Sequence, residues 1–178
     1  MGLRGAEQAA FNTTSERLAA LSTGFSNHVL DATQSWSLVI QERAQLNGVP
    51  ERALEILAAA AKEAGDQAAD GSEPSAAEGP WRLGLDMPRY IPVITHAKDR
   101  NLRETVYKAH VSRASSGDLD NAPLIEEILE LRRQQANRLG YANWAELSLA
   151  SKMADDVSAV ESLLEELRAS AMPVAQKE

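Results

Sequence analysis

Residues 4 to 34 contain no proline, and Phe11, Leu18, Leu21, Phe25 and Val29 recur among them at spacings of three, four or seven. That is the period of one apolar stripe on a single long α-helix. A strand shows successive side chains to opposite faces, so it cannot present such a pattern on one side. Gly24 is the weak point inside the run, costing about 1 kcal/mol against alanine. No capping residue or turn introduces the helix, so the chain reads as entered in mid-element.

Composition supports the same class. Aromatic residues make up 4% of the 178 residues, against 44% hydrophobic and 25% charged. The core must therefore come from Leu, Ile, Val and Ala, which suits packed helices better than a β-sandwich. The expected fold is mainly α, an elongated multi-helix array with one or two short extended segments. It is read as a single partial domain over residues 1–178.

Further along, Trp36, Leu38 and Ile40 alternate with Ser37, Val39 and Gln41, the period of a short strand. Asn47-Gly48 marks a turn, and Pro50 opens a helix that should end near Gly65. Residues 66–80, "DQAADGSEPSAAEGP", are rich in Ala, Gly, Ser, Pro and acids. They offer almost nothing to bury and are expected to form a flexible surface loop. A second short strand is expected at 81–85, then a proline-started helix. Asp99 or Asn101 should cap the next one, and Asn101 with Glu104 has the spacing of a capping box.

Leu124, Ile128, Leu131 and Leu139 stripe another helix that stops at Gly140. Asn143 and Glu146 form a second candidate box. Val157, Val160, Leu164, Leu167 and Ala171 stripe the last helix, with Asp155 and Asp156 at its positive end. Nothing in the sequence stops that helix short of the chain's end, so both termini look cut.

Several function classes lack their residues. The net charge is −8 and the pI about 5.0, without the basic stripe of a nucleic-acid binder. No cysteine is present, which removes disulfides, thiolate nucleophiles and Cys-based zinc sites and fits a reducing compartment. No apolar run reaches the roughly 18 residues of a membrane span. The N-terminus has no signal-peptide stretch, and Met1-Gly2 is not followed by the Ser or Thr of an acylation signal.

Residues 87–115, "MPRYIPVITHAKDRNLRETVYKAHVSRAS", concentrate the side chains capable of chemistry. The histidines of the chain are His28, His96 and His110. Two zinc ligands on one helix would stand four apart with Glu after the first, and no pair here does. Each histidine is expected to be a surface or interface residue bonded to a neighbour. Tyr90 and Tyr107 could donate to a substrate, but packing with the hydroxyl at the rim of a core is the favoured reading. The neighbouring acids Glu126-Glu127, Asp155-Asp156 and Glu165-Glu166 diverge by about 100° around a helix and do not converge on one atom. No G-x-S-x-G turn, P-loop or G-x-G-x-x-G is present. The residues alone define a helical unit without a self-contained catalytic site: no catalytic, cofactor-binding or metal residue is assigned.

Three long phrases then carry a resemblance. "RLAALSTGFSNHVLDAT" (17–33), the stretch at 87–115, and "DNAPLIEEILELRRQQANRLGYANWAELSLASKMA" (120–154) resemble the oligopeptidase A and thimet oligopeptidase family of zinc metallopeptidases. The resemblance implies a helical lobe beside a channel that admits short peptides. It also implies zinc held by an H-E-x-x-H helix and a further Glu in a C-terminal catalytic lobe. No H-E-x-x-H occurs in this chain, so none of those roles transfers to a residue here. The expected function is thus a segment of a zinc-dependent metalloendopeptidase acting on short peptides. It would supply scaffold and channel wall, bind no zinc itself and be inactive alone, in a soluble intracellular setting without nucleic-acid or membrane partners. The alternative is a stand-alone helical module that binds peptides or regulates a relative without catalysis.

Overall fold

The computed structural model describes residues 3–177. Among them lie seven α-helices and two short strands. In order these are α1 (Gly5–Ser35), β1 (Leu38–Ile40), α2 (Glu51–Glu63), β2 (Trp81–Leu83), α3 (Met87–His96), α4 (Arg100–Val111), α5 (Ala122–Arg138), α6 (Trp144–Leu149) and α7 (Val157–Ala175). The fold is mainly α, with the two extended segments inside the stretches expected for them, 36–41 and 81–85. Met1 and Gly2, considered above for acylation, lie outside the described residues. The chain divides into two compact units, Gly24–Ala122 and Met1–Thr23 with Pro123–Glu178.

In the unit Gly24–Ala122, β1 and β2 pair antiparallel with Leu38 opposite Leu83, Val39 opposite Arg82 and Ile40 opposite Trp81. Trp81 and Leu83 point inward and are fully buried, while Arg82 points outward. The ladder packs under α2, whose Ala53, Leu54, Leu57, Ala58 and Ala61 recur on one helical face and are all buried. Val93 of α3 and Leu102 and Val106 of α4 close the same core. Burying an indole such as that of Trp81 stabilises by about 5 kcal/mol as an upper figure, more than any exposed ion pair supplies.

Residues 66–80 carry more structure than their composition predicts. Ser75 and Gly79 exchange backbone hydrogen bonds of 3.0 and 2.9 Å, Pro80 is fully buried, and the Trp81 indole donates to the Ala76 carbonyl at 3.3 Å. Arg82 reaches back to both carboxylate oxygens of Asp66. A buried proline and a carbonyl acceptor leave no periodic trace, so the sequence hid them.

The helix starts follow side-chain chemistry. Pro50 is the N-cap of α2 and lies just outside its first turn. Asp86 caps α3, with Pro88 inside the first turn. Asp99 caps α4, accepting from the amides of Asn101 at 2.9 Å and Leu102 at 3.2 Å. The Asn101–Glu104 box does not form, because Asn101 already lies within the helix and Glu104 pairs with Lys108 one turn on. Gly48, at φ +94°, brings its turn against the end of α3, where Lys98 N–H donates to Asn47 O at 2.8 Å. A Cβ at residue 48 would collide with the carbonyl oxygen of His96.

In the other unit, the first part of α1 meets α5 through a two-pronged Arg17–Glu127 pair and a 2.8 Å bond from Gln135 to Ser15. Leu21 and Ala136 are buried there, whereas Leu124, Ile128 and Leu131 are only partly covered and Leu139 is exposed. Helix α5 ends in a Schellman turn: Gly140 is at φ +84°, and Tyr141 N–H donates to Ala136 O. The Asn143–Glu146 box forms in part, its return bond going to the amide one residue before the cap and not to the cap's own. Asn143 accepts from the Glu146 amide, and the Glu146 carboxylate accepts from Ala142 N–H. Asp156 caps α7, whose Leu163, Leu164, Leu167, Met172 and Val174 are all exposed.

Urea unfolding followed by circular dichroism checks this division of labour. Leu54→Ala should cost about 2–5 kcal/mol and Leu164→Ala less than about 0.5 kcal/mol. Gly48→Ala should cost at least about 1–3 kcal/mol from the left-handed backbone alone.

Candidate functional site

Most of the polar side chains of residues 87–115 are committed to holding their own segment. Arg89 pairs with Asp86, the α3 cap, and its guanidinium lies over Gly84, where a Cβ would strike it. Arg103 donates to the Ala97 carbonyl between α3 and α4. Tyr90 is buried in the core, and its ring stacks on His110 with centroids 4.0 Å apart and planes 15° from parallel. Tyr107 departs from the packing expected of it: it is 52% exposed on the outer face of α4.

The three histidines stand in different places. His28 is half-buried on α1 and its Nδ1 donates to the Asn121 side-chain oxygen at 2.9 Å, while the Asn121 amide nitrogen donates to Phe25 O at 3.1 Å. His96 is exposed at the end of α3. His110 is half-buried on α4, and its Nε2 is out of contact with solvent and without a hydrogen-bond partner among the described residues. Burial pushes the His110 imidazole below its ordinary value of 6.5, and the positive charge of Arg113 adds to that push.

No three of His, Asp and Glu come together anywhere among the described residues. With H-E-x-x-H absent from the sequence, these residues do not fit the zinc of the peptidases that the chain resembles. The acidic neighbours are caps and surface partners: Glu127 is held below the usual carboxylate range by Arg17, and Glu165 by Arg168.

Two open clefts on the unit Gly24–Ala122 share Ser35 and Trp36. One, of about 680 Å³, is bordered by Ile56, Ala60, Arg82, Asp86 and Arg89. The other, of about 600 Å³, is bordered by Leu85, Ala109, Arg113, Asp118 and Leu119. Arg113 sits just past the end of α4, with Nε donating to His110 O and Nη1 to Thr33 Oγ1, each at 2.9 Å. The sequence places Trp36 on a short strand and singles out no role for Arg113, so neither is legible there as a cleft residue. The signal available was the run "SRASSG", which follows the end of α4 at Val111 and contains the turn at Ala114, φ +51°.

With the fold and clefts in place, known proteins supply the class. The description "Peptidase family M3" matches residues 93–178. A "Probable cytosolic oligopeptidase A" of Arabidopsis thaliana is 48% identical over 158 residues, 89% of this chain and 22% of that protein. The "Organellar oligopeptidase A, chloroplastic/mitochondrial" of the same plant is 47% identical, over 93% of this chain and 20% of its own. The "Oligopeptidase A" of Escherichia coli is 38% identical over 100% of this chain and 25% of its own. The chain belongs to peptidase family M3, among the oligopeptidases A. It spans a quarter or less of the length of these relatives. Among the described residues, no helix is long and apolar enough to cross a membrane.

The buried His110 gives a pH dependence of definite sign. Its folded value lies below 6.5, so between the two values the unfolded chain binds the extra proton and stability rises with pH. The contribution is therefore full above 6.5 and is lost as pH falls through that value toward the folded one. Thermal melts at about pH 7.5 and 5.5 should show a drop in Tm that His110→Phe, which keeps the stack on Tyr90, makes smaller.

Proposed function

We propose that this chain is part of a zinc-dependent metalloendopeptidase of the oligopeptidase A type, which hydrolyses short peptides in the cytosol or an organelle. The observation that carries this is the match to Escherichia coli oligopeptidase A along the whole of the chain at 38% identity. Within that enzyme, these residues supply scaffold and a wall of the peptide channel. The histidines support the division of roles: His28 bonds to Asn121, His110 stacks on Tyr90, His96 is exposed, and none stands in a three-ligand group among the described residues. Zinc belongs to other residues of the complete enzyme, those of an H-E-x-x-H helix with a further carboxylate.

Two measurements test the reading. The chain alone, given zinc and an internally quenched fluorescent peptide, should show no turnover; turnover abolished by a chelator would contradict its assigned role. A chimera in which this chain replaces the matching quarter of Escherichia coli oligopeptidase A should keep chelator-sensitive cleavage of short peptides. A folded chimera that binds zinc and cleaves nothing would refute the assignment.

A further inference from the structure

The cleft beside Arg113 holds a charge without a counterpart. Among the described residues Arg113 forms no ion pair, and both of its bonded nitrogens go to neutral oxygens, His110 O and Thr33 Oγ1. Those bonds fix the plane of the guanidinium and leave Nη2 without a hydrogen bond among the described residues. A half-buried, oriented guanidinium with spare N–H groups is a strong partner for a carboxylate, because little rotamer entropy remains to be lost.

Its surroundings are shaped for more than an ion. Trp36, Leu85, Ala109 and Leu119 give the cleft an apolar wall, and its volume of about 600 Å³ exceeds what a bare anion needs. Asp118 lines the same space without pairing with Arg113, and as a carboxylate it can accept from an N–H. Ala114, next in sequence, is buried at φ +51°, the one non-glycine residue with positive φ among those described. Its carbonyl accepts from Asn121 N–H at 2.9 Å, which holds that strained turn in place.

We infer that this cleft binds the C-terminal end of a short peptide: Arg113 takes the free carboxylate, Asp118 the preceding amide N–H, and the Trp36–Leu85 wall an apolar terminal side chain. The inference rests on the peptide-handling role proposed above and adds a site for one end of the ligand. A free C-terminus combines in one chain end the anion, the donor and the apolar group that this cleft separates.

The test titrates the unaltered chain, by calorimetry, with N-acetyl-alanyl-leucine and with its C-terminal amide. The free acid should bind at least about ten-fold more tightly than the amide, a preference that added salt reduces. Arg113→Met should erase the preference, and Arg113→Lys should keep part of it. Trp36→Ala should weaken acid and amide alike, with circular dichroism reporting that each variant is folded. If acid and amide bind equally to the unaltered chain, the carboxylate anchor is wrong although a peptide site remains. Failure of both to bind at up to about 10 mM would overturn the site itself. Neither result depends on whether a variant folds, and neither touches the chimera experiment, so this inference and the peptidase assignment can fail separately.

Discussion

The complete burial of Trp81 organises the unit Gly24–Ala122. An indole there needs an apolar roof, a partner strand and an acceptor for its N–H, and each comes from a different part of the chain. Helix α2 provides the roof, Ile40 the cross-strand neighbour, and Ala76 the carbonyl. Residues far apart in sequence are thereby tied at one point. The loop 66–80, poor in apolar groups, still cannot drift far, because Pro80 is fully buried and Ala76 packs against the core. Asp66 and Arg82 then seal the outer face of the strand that carries the indole.

Charge plays a positioning role around that core. Each of several arginines is turned toward a nearby oxygen: Arg89 toward its own helix cap, Arg103 toward the carbonyl between α3 and α4, Arg113 toward the last turns of α1 and α4. Exposed ion pairs contribute little to stability, so their effect is to choose geometry. They set the angle at which one helix ends and the next begins. Arg113 differs from Arg82 and Arg89 in meeting no carboxylate, and its charge stays available to a ligand.

Helix α7 shows the opposite condition. Its apolar residues recur with the regularity of a buried face, yet Leu163, Leu164 and Leu167 are each more than half exposed. The cap at Asp156 and the period of the stripe define the helix by local chemistry. Nothing in local chemistry covers the stripe, which is why periodicity alone overstates a core. The same caution applies to α5, where Gln135 and Ala136 are the residues that become buried while the leucine stripe is only partly covered.

Much of the secondary structure was legible because its causes are local. Helix period, the Asp99 and Asp156 caps, the Asn143–Glu146 box and the Gly140 stop each depend on residues within one or two turns. The absence of H-E-x-x-H and of cysteine is likewise a property of the string itself. What the chain could not show by itself is every relation that closes a long loop: the pairing of Ile40 with Trp81, the stack of Tyr90 on His110, the placing of Trp36 and Arg113 on one cleft. Those depend on how several helices fill a shared volume, and packing of that kind leaves no fixed spacing in the sequence. Local hydrogen bonding decided the elements, and burial of apolar surface across distant segments decided which side chains meet.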